Sequence, residues 1–212
     1  MLELSFPHVM GYDVSGVVVE VGSDVKTVKV GDAVLARPNQ EDAGAMAEFA
    51  RLKEDEVAIK PAGISHTDAA SIPLAGLTAW QALITKGQLK KDDKVLIHAG
   101  SGGVGTLAIQ IAKHFGAYVA TTTSSKNAEL VKSLGADVVI DYKTEKFQEE
   151  LKDYDLVFDM LGGDSIVESF KVLKKGGALI SIKGEDTDNR AANYDVRFEN
   201  FFMSPDLSLI HI

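Results

Sequence analysis

Apolar residues follow two different patterns along the chain, and the change comes at Lys94. From there on, short apolar runs alternate with segments whose apolar residues recur every three or four positions, which predicts strands alternating with helices. The runs predict strands at 95–97, 118–122, 138–140, 156–158 and 178–182, with 196–203 as a candidate sixth strand. Helices are predicted at 104–115, 127–134 and 165–173, ended by Gly116, Gly135 and Gly176-Gly177. This alternation predicts an α/β fold with a doubly wound parallel sheet.

The N-terminal part has a different pattern. Residues 12–60 are rich in valine and interrupted by turn residues, which predicts short strands at 14–21, 33–36 and 46–50. These strands resemble part of a small barrel, with a turn at 61–63 marking its exit. Residues 65–85 are predicted to be helical, in two pieces broken by Pro73 and Gly76.

One segment joins a strand, a glycine-rich loop and a helix. Gly100, Gly102 and Gly105 follow the apolar strand 95–97 at G-x-G-x-x-G spacing, with Gly103 and Val104 inside the loop. After the loop, a helical stripe runs through positions 104, 107, 108, 111, 112 and 115. In such units the glycines let the backbone approach a diphosphate at the helix N-terminus. The segment predicts a dinucleotide-binding βα unit; the alternative is a flexible glycine-rich turn.

Composition narrows the function classes. The 212 residues are 45% hydrophobic and 25% charged, which is typical of a globular protein. The absence of cysteine excludes disulfides and thiolate metal sites, and the five histidines show no metal-ligand spacing, so no metal site is predicted. The net charge of -9 disfavours nucleic acid and anionic membranes as partners. No stretch approaches the length of a membrane span, and a cytoplasmic enzyme is expected.

Both ends of the chain are expected to depart from the native protein. The β-rich part has too few strands to close a barrel, so we expect native sequence before Met1. Residues 207–212 match one reading frame of a common sequencing adapter, so we expect native sequence to end near Asp206. The alternative for 207–212 is a genuine apolar terminal segment.

Five segments carry a resemblance to a known family. They are residues 11–22, 31–34, 72–79, 99–105 and 134–137. In order and spacing they resemble the zinc-independent quinone oxidoreductase branch of the medium-chain dehydrogenase/reductase superfamily. The resemblance implies a partial GroES-like catalytic domain at 1–73 and a Rossmann NADP-binding domain at 74–206, with 207–212 as a non-native tail. It also implies a homodimer in which strand 196–203 pairs with its copy.

The resemblance bears on zinc as well. Zinc-dependent relatives carry a histidine in the segment that here is Gly11-Tyr12-Asp13, and their sites use cysteines that this chain lacks. Tyr12 stands in the ligand's place. Metal-free hydride chemistry is therefore expected, which suits reduction of a quinone or an activated C=C bond.

The end of the second strand of the α/β part bears on cofactor choice. Folds that prefer NAD usually place an acid there, whereas this chain offers Ser124, Ser125 and Lys126. Two hydroxyls and a cation suit the 2′-phosphate of NADPH. The alternative is a helix cap at Ser125 beside a solvated lysine.

Three further residues are candidates by resemblance. Tyr142 matches a residue on the adenine-ribose side of the cofactor, or else is an aromatic that packs at a strand end. Thr78 matches a residue near the nicotinamide, or else is a hydroxyl at a helix start. Tyr12 is the candidate proton donor, or else packs, while His98 is expected to be a strand residue rather than an acid. Segments 161–163 and 181–183 follow strands, but no side chain in them stands out.

These observations predict an NADPH-dependent reductase of small-molecule quinones or α,β-unsaturated carbonyls. A related enoyl reductase is the alternative among enzymes. A nucleotide-binding protein with little turnover is the alternative from another class, because dinucleotide binding needs only the Rossmann domain.

Overall fold

The computed structural model describes residues 8–39 and 44–206. The chain forms two compact units, one made of Met1–Leu77 with Met203–Ile212 and the other of Thr78–Phe202. The predicted non-native tail, 207–212, lies outside the described residues. Together the units give the predicted fold class, a GroES-like N-terminal part and a parallel sheet of the Rossmann type.

The described part of the first unit is built on a three-stranded antiparallel sheet with the order β1-β2-β3. The strands are β1 (Val14–Val17), β2 (Ala33–Ala36) and β3 (Val57–Ile59), and a short helix, α1 (His66–Ala70), follows them. The strand predicted at 33–36 is confirmed, and the one predicted at 14–21 is confirmed over its first half. The central strand β2 is the buried one, since Leu35 and Ala36 are completely covered.

The strand predicted at 46–50 is wrong. These residues form a series of bends, and Met46 and Phe49 are 76% and 74% exposed. The backbone just before them turns back on the N-terminal segment, because the Ala45 and Met46 N–H groups donate to the Gly11 and Met10 carbonyls. The third strand of the sheet is β3 instead.

The helical region was predicted to break at Pro73 and Gly76; the break before Pro73 is confirmed, and the one at Gly76 is wrong. Helix α2 (Pro73–Trp80) continues through Gly76, whose N–H donates to the Ile72 carbonyl at 2.6 Å. Pro73 stands at the first helical position, where its missing N–H costs nothing. A π-helical segment, Gln81–Lys86, follows directly.

The second unit contains a six-stranded, fully parallel sheet. Its strands are β4 (Lys94–Ile97), β5 (Tyr118–Thr123), β6 (Val138–Asp141), β7 (Tyr154–Asp159), β8 (Leu173–Ser181) and β9 (Arg197–Asn200). The helices are α3 (Gly103–His114), α4 (Ala128–Ser133), α5 (Phe147–Glu150) and α6 (Asp164–Phe170). The order β6-β5-β4-β7-β8-β9 reverses at β4, as in dinucleotide-binding folds. All six predicted strands are therefore confirmed, although their ends differ.

The core of this unit lies along the central strands. Leu96, Ile97, Val157 and Phe158 are covered almost completely, as expected for parallel strands packed on both faces. Helix α3 buries positions 105, 108, 109 and 112, whereas the predicted stripe included 104, 107 and 111, which are half-buried. The buried face is rotated toward Gly105, because only a glycine lets that turn approach the strand so closely.

The glycines expected to end helices behave in two ways. Gly116 and Gly135 follow α3 and α4 with φ of 79° and 109°, which confirms the predicted caps. Gly176 and Gly177 instead lie inside β8, so the helix predicted to reach 173 ends at Phe170. Gly176 has φ of 75° and donates its N–H to the Asp195 carbonyl, and the pairing of β7 with β8 shifts register nearby. These two glycines therefore lie at an irregular point of strand β8, and they do not cap a helix as predicted.

Candidate dinucleotide-binding site

The glycine loop lies at the point where the strand order reverses. It connects β4 to α3, and β4 is flanked by β5 on one side and β7 on the other. In open parallel sheets, the crevice outside the carboxyl ends of such strands is where ligands bind. The loops that follow β4, β5, β6 and β7 are therefore the candidate site.

Glycine is needed at different positions of this loop for different physical reasons. A Cβ on Gly100 would overlap the Thr121 side-chain oxygen, and one on Gly105 would overlap the Ala99 carbonyl oxygen. These two positions need glycine for internal packing. A Cβ on Gly103, by contrast, would meet nothing within 4 Å, and Gly102 and Gly103 are exposed. The loop therefore leaves open space where a bound group would lie against its backbone.

Helix α3 presents an uncapped N-terminus to this space. The helix starts at Gly103 with Gly102 as N-cap, and no side chain caps it. The first N–H groups of a helix have no partner within it, so those of Gly103, Val104 and Gly105 are available to an anion. The helix dipole adds partial positive charge at this end. The loop thus fits the diphosphate of a dinucleotide, in space and in electrostatics.

Ser101 was not among the predicted site residues. Its Oγ accepts a hydrogen bond from the Thr123 hydroxyl at 2.8 Å and another from the Asn127 side-chain amide at 3.1 Å. A serine oxygen that accepts twice has only its own proton left to offer. Ser101 is therefore oriented as a donor beside the helix N-terminus. In the sequence, the feature that could have indicated this role is the Thr123 hydroxyl at the end of β5, which donates to Ser101.

The predicted 2′-phosphate residues lie together after β5. Ser124 precedes a 3₁₀ turn, Ser125–Asn127, and its side chain makes no capping bond. Lys126 is exposed and makes no ion pair within the described part of the chain. The Ser125 N–H donates to the Asp141 carboxylate at 3.1 Å, so this acid, rather than a serine, caps the turn.

Asp141 is a second site residue that the sequence interpretation missed. It ends β6 beside the serines, and the pKa of its carboxyl is lowered chiefly by the Lys143 backbone N–H. It is therefore charged at pH 7. The negative charge of Asp141 would repel a phosphate bound by these residues. The positive charges of the exposed Lys126 and Lys143 would counter that repulsion.

Tyr142 and Thr78 differ in exposure. The Tyr142 ring is 62% exposed, so it does not pack as a core aromatic, and its N–H donates to the Thr123 carbonyl. This contact brings it next to the predicted phosphate residues. Thr78 is 5% exposed and is the sixth residue of α2, so the alternative of a helix-start hydroxyl is wrong.

Tyr12 belongs to the first unit. It is half-buried, its hydroxyl makes no hydrogen bond to a described residue, and the Arg37 guanidinium lies 5.8 Å from its ring centroid. Arg37 is 2% exposed; its Nη1 donates to the Pro38 carbonyl at 3.1 Å, and its Nε has no hydrogen-bond partner within residues 8–39 and 44–206. Asp13 accepts the Leu74 N–H at 2.7 Å, and burial raises the pKa of its carboxyl while Arg37 opposes that rise. The surroundings of Tyr12 are polar and incompletely paired.

Asp159 stabilises the loop after β7. It is completely buried and accepts four hydrogen bonds, from the Leu161 and Gly162 N–H groups and from the Ser165 and Ser181 hydroxyls. These bonds tie segment 161–163 to the end of β8, at the edge where a nicotinamide dinucleotide would extend. No side chain stood out there from the sequence, because an acid at the end of an apolar strand gives no sign of how many donors it will meet.

His98 lies between β4 and the glycine loop and is 1% exposed. Its Nδ1 is 3.1 Å from Thr122 Oγ1, and its Nε2 is 2.9 Å from Ser169 Oγ. Burial lowers the pKa of His98 to about 4, although the Asp159 carboxylate opposes this shift. The ring is therefore neutral at pH 7, and its place is suited to holding loops rather than to donating a proton.

The described residues show neither a metal-ligand cluster nor a membrane-spanning helix. Residues 8–39 and 44–206 contain no group of three or more histidine, aspartate or glutamate side chains placed to hold a metal ion. Within the same ranges, no helix combines the length and the apolar character needed to cross a membrane.

Comparison with known proteins agrees with this geometry. The family description "Alcohol dehydrogenase GroES-like domain" matches residues 2–62, and "Zinc-binding dehydrogenase" matches residues 103–201. The chain is 45% identical over 177 residues to the zebrafish (Danio rerio) protein named NAD(P)H oxidoreductase RTN4IP1, mitochondrial, covering 80% of this chain and 46% of the relative. It is 42% identical over 189 residues to the Arabidopsis thaliana NADPH-dependent alkenal/one oxidoreductase, chloroplastic, covering 85% and 48%.

A solved structure is similar over most of the chain. The quinone oxidoreductase from Coxiella burnetii superposes with a TM-score of 0.86 at 39% identity, covering 95% of this chain and 65% of that one. The chain spans about half the length of the curated relatives it matches. Fold, strand order, glycine loop and these likenesses together show that the chain belongs to the medium-chain dehydrogenase/reductase superfamily, in its quinone oxidoreductase-like branch.

Proposed function

We propose that the protein is an NADPH-dependent oxidoreductase that reduces a quinone or an activated alkene, without zinc. The observation that carries this proposal is the glycine loop, which leaves open space before the uncapped N-terminus of α3. Both curated relatives described above are named as oxidoreductases that use NAD(P)H or NADPH, and the similar solved structure is named as a quinone oxidoreductase.

The residues of the second unit would bind the cofactor in parts. The N–H groups at the start of α3 and the Ser101 hydroxyl would hold the diphosphate. Residues after β5 and β6 would hold the adenosine end, and the segment stabilised by Asp159 would lie toward the nicotinamide. A bound NADPH would supply the hydride for the reduction.

NADPH is proposed over NADH because of charge at the end of β5. Lys126 is free of ion pairs within the described chain, and Ser124 makes no capping bond. Both groups are therefore available to a 2′-phosphate. Asp141 opposes this preference, so we expect a moderate selectivity rather than an absolute one.

The substrate class follows from the relatives and from the first unit. One relative is named for alkenals and enones, and the similar structure for quinones; these are electrophiles that accept a hydride at carbon. Tyr12 stands where zinc-dependent relatives carry a histidine, and the chain has no cysteine, which supports chemistry without zinc. The proton that completes the reduction is assigned to Tyr12, whose hydroxyl is not engaged by a described residue.

The proposal also covers assembly and location. A homodimer would form through β9, which is one of the two edge strands of the described sheet, and Phe202 beside it is 77% exposed. We assign the protein to the cytoplasm. Sedimentation analysis of wild type beside Phe202→Lys tests the assembly; a wild-type monomer would reject it.

The first experiment is a titration with NADPH and NADH, followed by nicotinamide fluorescence. We expect NADPH to bind roughly tenfold more tightly, and Lys126→Ala to remove most of that difference without changing NADH binding. Lys132→Ala is the matched control, because Lys132 is also exposed but pairs with Glu129 on α4. Equal binding of both cofactors by wild type would reject the phosphate site.

Turnover separates the enzyme from a binding protein. With NADPH bound, oxidation of the cofactor on adding a quinone or an α,β-unsaturated carbonyl would support the proposed reaction. Stoichiometric binding with no turnover on either substrate class, by a chain extended to the length of its relatives, would favour the nucleotide-binding alternative.

A further inference from the structure

The start of the glycine loop has an unusual backbone conformation. Ala99, the residue before Gly100, has φ of 51°, in the left-handed region that residues with a side chain rarely adopt. Such a conformation persists only when surrounding contacts fix it. Within the loop, the Ala99 carbonyl accepts the Gly102 N–H at 2.9 Å, and from the neighbouring strand β5 the contacts come from Thr122.

Thr122 holds the loop through two different atoms. Its carbonyl accepts the Gly100 N–H at 3.0 Å, and its side-chain Oγ1 accepts the Ala99 N–H at 3.1 Å. The first bond needs only the backbone of β5. The second depends on the rotamer of the Thr122 hydroxyl, because a rotated side chain would leave the Ala99 N–H without this acceptor.

His98 fixes that rotamer from the other side. Its Nδ1 is 3.1 Å from the same Thr122 Oγ1, and its Nε2 is 2.9 Å from Ser169 Oγ on α6. The ring also packs edge-to-face against Phe147, at 4.7 Å between ring centroids. A neutral imidazole donates through one nitrogen and accepts through the other, so either tautomer keeps both contacts.

We propose that His98 is a positioning residue for the cofactor loop: its Nδ1 holds the Thr122 hydroxyl where that oxygen accepts the Ala99 N–H, and so fixes the conformation from which the loop approaches the diphosphate. The inference rests on the proposed function, because the loop is taken to bind a dinucleotide. It adds a residue that would touch neither cofactor nor substrate.

Two substitutions separate this role from plain packing. Asparagine places its amide near the Nδ1 position of histidine, whereas glutamine places its amide near the Nε2 position. His98→Asn therefore keeps a partner for Thr122 and loses Ser169, while His98→Gln does the reverse. Thr122→Ser and Thr122→Val form a second pair, with and without the hydroxyl.

The first measurement is amide hydrogen exchange without cofactor. We expect the Ala99 amide to exchange roughly tenfold faster in His98→Gln and Thr122→Val than in His98→Asn and Thr122→Ser, because its partly buried hydrogen bond to Thr122 is lost. The Gly100 amide is the internal control, since its acceptor is the Thr122 carbonyl. Equal acceleration of Ala99 and Gly100, or no change at Ala99, would overturn the proposal.

The second measurement is titration of the same folded variants with NADPH and NADH. We expect roughly tenfold weaker binding for His98→Gln and Thr122→Val, and no more than roughly threefold for their partners. Wild-type affinity in His98→Gln would overturn the role in cofactor binding. If wild type binds neither dinucleotide while Ala99 exchange responds selectively, the proposed function fails and the positioning contact stands.

Discussion

The two units of this chain differ at one buried polar side chain, although buried Glu56 of the first unit is paired with the Asn39 and Lys53 N–H groups. In the second unit, His98, Thr122, Asp159 and Ser181 are all within 3% of complete burial, and each has hydrogen-bond partners. In the first unit, Arg37 is equally buried and donates through Nη1 to the Pro38 carbonyl, yet its Nε has no hydrogen-bond partner among the described residues. The paired groups of the second unit all lie at the carboxyl ends of parallel strands, where they fix loop backbones. A site that binds a ligand through backbone N–H groups needs this kind of support, because misplaced donors lose most of their strength.

The largest effect is expected at Asp159. Asp159→Ala would remove the acceptor of four hydrogen bonds, of which the one from Ser181 is buried and the other three are partly buried, and we expect a loss of about 4 kcal/mol. Urea unfolding followed by circular dichroism measures this loss.

Asp159→Asn is the matched control for that prediction. The Ser165 hydroxyl lies 3.0 Å from the Gly162 carbonyl, so it can donate there and accept from the new amide instead. We expect less than half of the alanine variant's loss. Equal losses in both variants would mean that the negative charge, and not the hydrogen-bond geometry, is what matters at this position.

The next effect is the pH dependence of stability. The pKa of His98 is lowered from 6.5 to about 4 in the folded chain, chiefly by burial and against the opposing charge of Asp159. Between those pH values the unfolded chain binds a proton that the folded chain does not, so stability is complete above about pH 6.5 and falls as the pH drops toward 4. This difference between the two pKa values of His98 corresponds to about 3 kcal/mol of unfolding free energy. Unfolding measured across this window should lose that slope in His98→Asn, and an unchanged slope would assign it to other groups.

Glycine substitutions separate folding from binding within one loop. Gly105→Ala places a methyl group against the Ala99 carbonyl, and we expect it to cost about 2 kcal/mol of stability. Gly103→Ala meets nothing within 4 Å, so stability should change by less than about 0.5 kcal/mol while NADPH binding weakens roughly tenfold. Thermal unfolding and fluorescence titration test the pair. Normal NADPH affinity in Gly103→Ala would argue against a diphosphate on this part of the loop.

The sequence predicted the strands of the second unit better than those of the first. The parallel strands were predicted because continuous apolar runs mark strands buried on both faces, and the glycine loop was predicted because three glycines at fixed spacing have few other uses. The strand predicted at 46–50 was wrong because these residues have a β-like composition, but Met46 and the two residues before it donate to the Met10 and Gly11 carbonyls instead. Composition carries no information about which backbone will be available as a partner.

The candidate site was predicted unevenly for a related reason. Ser101, Asp141 and Asp159 each make a contact across neighbouring strands, namely the bonds from Thr123 to Ser101, from Ser125 to Asp141 and from Ser181 to Asp159. Residues that form these contacts are 16 to 22 positions apart in the chain. No local spacing rule covers such pairs, so the sequence indicated the loops but not the side chains that hold them.

The smallest effect is expected at Arg37, and it tests the opening contrast directly. Arg37→Met removes a buried guanidinium whose Nε has no partner in the described part of the chain, together with its bond to the Pro38 carbonyl, its contact to the Tyr12 ring and its attraction to Asp13. Burying a cation costs desolvation energy, and its attraction to neighbouring groups offsets only part of that cost. We therefore expect an apolar side chain of similar length to change the free energy of unfolding by less than about 1 kcal/mol in either direction. Urea unfolding alongside Asp159→Ala gives the comparison. A loss above about 3 kcal/mol would show that Arg37 holds its unit as firmly as Asp159 holds the other, and that an unpaired atom alone is a poor guide to which buried polar groups the fold requires.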